Sequence, residues 1–499
     1  MKKPARILQA INTFPLPIKI AIGVGIVTFA TFGVATVFAL HLIQQAQGTT
    51  HDGTVVTISP TGQTTTTTTT KAGVKTVTVK QADGQTTTTT IKADGTTTTA
   101  TDTTTPASTP TSGGTSTGTS SGTTSTGTTT TTTTTTPTGP TCNQHATTAN
   151  FSTQLTATTT GQTLCLATGN YGTFTGVSKA ITITAESGAT PTMQLDFEKK
   201  YNPNGFTLDG LTISYADVLG NSANFSDASR PRNFTIKNST FNGAIRFDSI
   251  DNANISLDHN THNNIDTNSN CTAAPARIWL SYSSNNPSGV TISNSYLSGG
   301  NTDGVQAGAP ANIINNEFYN IFEKGSSDCS HTDAIQLVGG GGMTITGNYI
   351  HSTADGIVAY DGTDHNTITN NVIDLKTGRW GIELYSDDTS VVRNNTLVYN
   401  TGCAYSPCGH IMLDKKTSSP NGHGTIIENN IVYDISQADG STAASERNNM
   451  FRSGAGSPDF NGIPIFAGGS SPTTWAGFKL AANSPGIHGA TDGGAVGIR

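Results

Sequence analysis

Ile368-Thr369-Asn370-Asn371-Val372-Ile373 begins with an apolar residue, passes through a polar, asparagine-rich corner and ends on an apolar pair. The pattern returns along the C-terminal part of the chain. It stands at Ile292-Ser293-Asn294-Ser295-Tyr296, Ile314-Asn315-Asn316-Glu317-Phe318 and Ile345-Thr346-Gly347-Asn348-Tyr349-Ile350. It stands again at Val392-Arg393-Asn394-Asn395-Thr396-Leu397 and Ile427-Glu428-Asn429-Asn430-Ile431-Val432. With Asn294, Asn316, Asn348, Asn371, Asn395 and Asn430 as markers, the intervals are 22, 32, 23, 24 and 35 residues. Intervals near 22 to 24 with occasional longer ones describe one repeat unit carrying loop insertions.

A second column follows each motif. It pairs Ile245 with Phe247, Ile278 with Leu280, Val305 with Ala307, Ile335 with Leu337, Ile357 with Ala359, Ile382 with Leu384 and Ile411 with Leu413. Spacing of i, i+2 marks a strand with one face inward. Strands at one phase of a repeat of about 22 residues are too far apart for a hairpin meander. The expected fold is all-β: stacked rungs of a right-handed parallel β-helix, the hand following the crossover preference. The asparagine column falls at a turn, where the left-handed backbone region is tolerated and amides can ladder from rung to rung.

Of 499 residues, 33% are hydrophobic and 12% charged, with a formal charge of −7. The charged share is about half the usual one. That excludes a nucleic-acid binder, which needs a basic patch, and argues against a charge-solubilised cytosolic enzyme. Residues 141–499 form the expected β-helix domain.

Upstream lie other modules. Residues 1–19 carry Lys2, Lys3, Arg6 and Lys19, and no acid precedes Asp52. From Ile20 to Leu40 there is no charge, a run of about 31 Å as helix. Residues 20–43 read as a single-pass membrane anchor, with the N-terminus cytoplasmic and the rest extracellular. The rival is a cleavable signal peptide, with Val37-Phe38-Ala39 offering small residues to a peptidase. Residues 49–102 are threonine-rich with an 11-residue repeat marked by Gly62, Gly73, Gly84 and Gly95. They read as a narrow β-stalk of short strands and tight turns, or else as a disordered linker. Residues 103–140 are Thr/Ser/Gly/Pro spacer, expected to be disordered.

An exported domain can hold disulfides. Six cysteines allow 15 pairings. Cys142 and Cys165 flank the start of the domain, Cys403 and Cys408 close one small loop, and Cys271 and Cys329 lie in long insertions.

Aligning rungs on the inward aliphatic residue brings Asp303, Asp333 and Asp355 into register. Carboxylates about 4.8 Å apart repel unless a cation such as calcium sits between them or one is protonated. An Asp before a strand in a glycine-rich turn can equally be a turn or cap residue. The outward positions are Arg246, Trp279, Gln306, Gln336, Val358, Glu383 and Met412. Tyr360 and Tyr385 follow on adjacent rungs, and His331, Lys324, Arg379 and Trp380 lie on nearby turns. Acids, bases and aromatic platforms on one face suit a polysaccharide partner. Gln306, Gln336, Tyr360, Tyr385, Trp380 and Glu383 are its candidate contacts.

The domain resembles the β-helix superfamily that includes pectate lyases, polygalacturonases and related uronan-acting enzymes. The closing segment Phe478-Lys479-Leu480, Asn483-Ser484-Pro485-Gly486-Ile487 and Gly493 to Gly497 is similar to that of many such bacterial proteins. The resemblance implies lyase-type β-elimination of an acidic polysaccharide. His331, Lys324 or Arg379 would then be the base, and Asp303, Asp333 and Asp355 the cation site. Asn301-Thr302-Asp303 also resembles a polygalacturonase motif, which would make Asp303 an acid for hydrolysis. The paired Asp-Asp and the Arg-Ile-Lys of that family are absent, so hydrolysis ranks lower. The remaining alternative is a non-catalytic glycan-binding spike. The oligomeric state is open.

Overall fold

The computed structural model describes residues 54–58, 64–69, 75–80, 86–91 and 97–102 as backbone. It also describes residues 141–499 except 198–202, 218–230, 248–253, 264, 266–275, 281–288, 323–331, 376–379, 401 and 403–407. The expected cytoplasmic tail (1–19), anchor (20–43) and spacer (103–140) lie outside the described residues. Among the described residues no helix is long and apolar enough to cross a membrane.

Thr54–Ile58, Thr64–Thr69, Lys75–Lys80, Thr86–Ile91 and Thr97–Asp102 form an antiparallel sheet in sequential order. β-Branched threonine suits such extended backbone. Each 11-residue unit is one strand and one connection.

Residues 141–499 belong to a second compact unit, with a core of their own. Among the described residues its named strands pair in parallel with strands one turn of the chain away, not with a hairpin neighbour, and so wind into a β-helix. Each complete rung supplies three faces. The first is a sheet of 13 parallel strands among the described residues, from Gln144–Ala146 to Ala443–Arg447. The second carries Tyr296–Ser298, Glu317–Tyr319, Tyr349–His351, Val372–Asp374 and Thr396–Leu397. The third carries Ile245–Phe247, Ala276–Leu280, Asp303–Ala307, Asp333–Leu337, Asp355–Ala359, Ile382–Tyr385 and His410–Asp414.

The core is a set of aliphatic columns. On the first face Leu257, Ile292, Ile313, Ile345, Ile368, Val392 and Ile427 lie rung over rung, fully buried. On the third face Ile245, Ile278, Val305, Ile335, Ile357, Ile382 and Ile411 do the same, in the register expected from sequence. Burial of a branched side chain contributes about 1.5–3 kcal/mol, so a column is a large cooperative store of stability.

The asparagine corner divides its two tasks between successive residues. Asn315, Asn370, Asn394, Asn429 and Asn448 have φ near +55°, the left-handed region asparagine tolerates. The residues that follow them make the ladder. The Asn348 side-chain amide donates to Asn371, Asn371 to Asn395, Asn395 to Asn430 and Asn430 to Asn449, at 2.9–3.1 Å. Each of these amides also donates to a main-chain carbonyl, as Asn371 does to Ile345 at 2.9 Å. Two markers read from sequence therefore shift by one position. Asn294 is a left-handed residue (φ 51°), and Ser295 holds the ladder place: its main-chain N–H donates to Asn316 Oδ1 at 2.9 Å and its hydroxyl accepts the Asn260 N–H at 3.0 Å. Likewise Ile313, not Ile314, points inward. One extra residue of offset was invisible because Ile313 and Ile314 are identical in type.

The N-terminal end of the core is covered by a helix, and the second face by the last residues of the chain. At the N-terminal end the helix Phe151–Ala157 lays Phe151 and Leu155 on the core, and Lys179 Nζ caps its last carbonyls, Leu155 and Thr158, at 2.5 Å. The Cys142–Cys165 disulfide ties the first two first-face strands together. At the other end the chain turns back along the second face. Phe478 and Ile498 pack on Tyr349 and Val372, and Trp475 Nε1 donates to the Asn370 carbonyl at 2.8 Å. The outward residues Tyr349, Val372, Thr396, Ile431 and Met450 are buried as a result.

Candidate functional site

The third face positions the candidate residues. Its outward positions pair in register as Arg246, Trp279, Gln306, Gln336, Val358, Glu383 and Met412. The side chains form a row along the helix axis because parallel pairing repeats each position about every 4.8 Å. Arg246 stacks over the Trp279 ring at 5.0 Å. The Gln306 amide donates to the Gln336 carbonyl oxygen. Beyond them Tyr360 and Tyr385 meet edge to face, with centroids 4.8 Å apart.

Burial separates these residues. Tyr360 is exposed, whereas Tyr385 and Glu383 are buried. Burial, followed by the neighbouring Glu383 charge and its hydrogen bond, pushes the Tyr385 phenol well above its ordinary value. Tyr385 is therefore a neutral hydroxyl at any working pH. Lys416 adds a cation that sequence reasoning passed over: its Nζ lies 4.0 Å from the Tyr360 ring centroid and pairs with Asp361. Its signal was position, just past the third-face strand His410–Asp414.

Asp303, Asp333 and Asp355 do lie at one phase of successive rungs, each opening a third-face strand. All are buried at the corner between the second and third faces. Asp303 Oδ1 accepts the Asp333 main-chain N–H at 2.9 Å, and Asp355 Oδ1 accepts the Trp380 N–H at 2.9 Å. Asp303 and Asp355 thereby each hold a main-chain amide of the rung above. Among the described residues no group of three or more His, Cys, Asp or Glu is placed to hold a metal ion. His331, Lys324 and Arg379 lie outside the described residues, as do Cys271, Cys329 and Cys403. Cys408 is disulfide-bonded and buried.

Another acid, just past the third-face strand Ile382–Tyr385, has structural partners. Asp387 is buried and accepts hydrogen bonds from the Ser390 and Thr425 hydroxyls. Desolvation holds its carboxyl above the ordinary value, while those hydrogen bonds oppose the shift.

A second polar group lies on the second face and was not singled out from sequence. Glu317 Oε1 and His351 Nε2 are 2.9 Å apart. The His351 ring lies between Tyr349, stacked at 4.1 Å, and the exposed Tyr319 at 4.7 Å. Its sequence signal was the shared phase of Glu317-Phe318-Tyr319 and Tyr349-Ile350-His351.

Residues 304–474 match the family model described as a right handed beta helix region. The fold is thus a right-handed parallel β-helix. Solved structures to which the chain is similar include the PL6 family alginate lyase AlyGC, at 15% identity and a TM-score of 0.44. That alignment covers 70% of this chain and 58% of the lyase, so the chain spans less than two thirds of the lyase's length. The pectate lyase Pel9A matches at 14% identity and a TM-score of 0.29, covering 72% of this chain and 97% of that one. The Streptococcus pneumoniae surface protein and adhesin PfbA matches at 11% identity and a TM-score of 0.26, covering 60% and 89%. A search of curated proteins finds no match.

Proposed function

We propose that the protein is a membrane-tethered extracellular protein that lays an acidic polysaccharide along the third face and cleaves it by β-elimination. The observation that carries this reading is the axial row of outward groups, from the Gln306–Gln336 pair to Tyr360 and Lys416. A repeating polymer is suited to a row that repeats along one axis. The amides supply hydrogen bonds to hydroxyls, Tyr360 a ring face, and Lys416 a positive charge for a uronate carboxylate. Trp380 borders the same stretch, and the buried Tyr385 and Glu383 lie beneath it. In β-elimination a base removes the proton α to the carboxylate. That electron pair forms the C4–C5 double bond, and the C4–O bond breaks with protonation of the leaving oxygen. His331, Lys324 and Arg379 are the proposed bases.

A second reading, glycan binding without cleavage, is favoured by the hydrogen bonds that engage Asp303 and Asp355 with the main chain. Carboxylates used in this way hold the fold. Calcium therefore enters as a variable to be tested rather than as a step.

The test uses residues 118–499 with the disulfides intact, incubated with pectate, alginate and glycosaminoglycans, first with calcium and then with chelator. Rising ultraviolet absorbance from unsaturated uronate supports the lyase reading. Reducing ends without absorbance replace it with hydrolysis. Retained binding with neither signal leaves a glycan-binding spike.

A further inference from the structure

On the second face, where the returning chain crosses the last rungs, lies a cavity of about 470 Å³. Leu397, Ile431, Val432 and Met450 form its floor, all buried core residues. The returning segment forms its wall, with Ile463 and Ile465 left 60% and 44% exposed. This is an unusual outlay of apolar surface on a domain otherwise solvated by Thr, Ser and Asn. One end is polar. Arg452 lies over the Tyr399 ring at 4.3 Å, and Tyr399 packs on Tyr433 at 5.3 Å. Among the described residues Arg452 makes no ion pair.

We infer that this groove binds a single-headed amphipathic carboxylate, an acyl or aryl chain ending in one carboxyl group. The volume falls within the usual range for small-molecule sites, roughly 300–1,000 Å³. The apolar floor and wall accept the chain, which covers the Ile463 and Ile465 surface that now faces water. The Arg452 guanidinium, held in place by the Tyr399 ring, meets the carboxylate with two parallel hydrogen bonds. A sugar fits poorly, because the floor's side chains offer no hydroxyl, amide or charge to its hydroxyls. The inference is independent of the third-face reading: the two sites share no residue.

The test is calorimetric titration of residues 118–499 with decanoate, decanol and a uronate oligosaccharide, below the concentration at which micelles form. Decanoate is expected to bind once per chain, at least about tenfold tighter than decanol. Arg452→Gln should remove that tenfold advantage and leave decanol unchanged. Ile465→Asp should abolish binding of both. Circular dichroism melting checks that each variant is folded. Three results would each overturn the inference: no decanoate binding, equal affinity for decanoate and decanol, or displacement of decanoate by the oligosaccharide.

Discussion

The Oδ1 atom of Asp303 accepts the main-chain N–H of Asp333, 2.9 Å away on the next rung, with both residues buried. A carboxylate at this place performs the work that asparagine performs at the other corner: it satisfies a buried amide that the strand ladder does not reach. Leaving that amide unpaired costs about 1–3 kcal/mol. Asp303→Ala is therefore expected to lower stability by that order in thermal or urea unfolding. Asp303→Asn keeps an acceptor oxygen and should lose much less. The same pair of variants distinguishes roles. If Asp303 donated a proton in catalysis, Asn would remain folded yet inactive; an active Asp303→Asn assigns the residue to the fold.

Asn371 makes more hydrogen bonds. It accepts from the Asn348 main chain and side chain, and donates to Ile345 and Asn395, all at 2.9–3.0 Å. Asn371→Leu strands several buried groups at once. A loss of about 3 kcal/mol or more is expected in equilibrium unfolding.

His262 is the polar member of the inward second-face column, stacked on Phe241 at 4.5 Å and fully buried. Burial, then the nearby Arg277 charge, lowers its pKa to about 3 from 6.5. The native state thus binds its proton only near pH 3, whereas the unfolded chain binds it near 6.5. Stability should be full above pH 6.5 and fall by about 1.4 kcal/mol per unit between pH 6.5 and 3 through this residue alone. His262→Phe should flatten that part of the pH–stability curve. An unchanged slope in the variant would show that other groups carry it.

Gly356 stands at the same corner as the acids. A Cβ there would lie 2.2 Å from the Gly381 carbonyl oxygen and 3.1 Å from an Ile373 methyl. Neither the main chain nor the core column can yield cheaply, so Gly356→Ala is expected to cost about 1–3 kcal/mol in chemical denaturation.

Tyr360 is exposed and packs beneath Lys416, so its removal should leave the melting temperature unchanged. Tyr360→Ala is expected to weaken binding of acidic polysaccharide by about five- to tenfold. Lys416→Gln should reduce the salt dependence of that binding, measured by affinity electrophoresis at two ionic strengths.

Much of the architecture was legible in the chain itself. Rung phase could be read because Ile245, Ile278, Val305, Ile335, Ile357, Ile382 and Ile411 must all point inward, and a slip of one residue would turn each to solvent. The 11-residue unit was legible for the same reason: one strand and one connection repeat without insertion. Where two neighbours were both apolar, as at Ile313 and Ile314, or both amide-bearing, as along the asparagine corner, the chain alone did not say which faces the core.

The register of Asp303, Asp333 and Asp355 was likewise determined by sequence, because repeat phase alone sets it. What those carboxylates face was decided only by the tertiary structure. A residue at the end of a strand has no alternation to dictate its direction, and here the unpaired amide of the next rung takes the oxygen. The same holds for the groove under Arg452. It exists because the last residues fold back over the second face, bringing together side chains that no repeat relates.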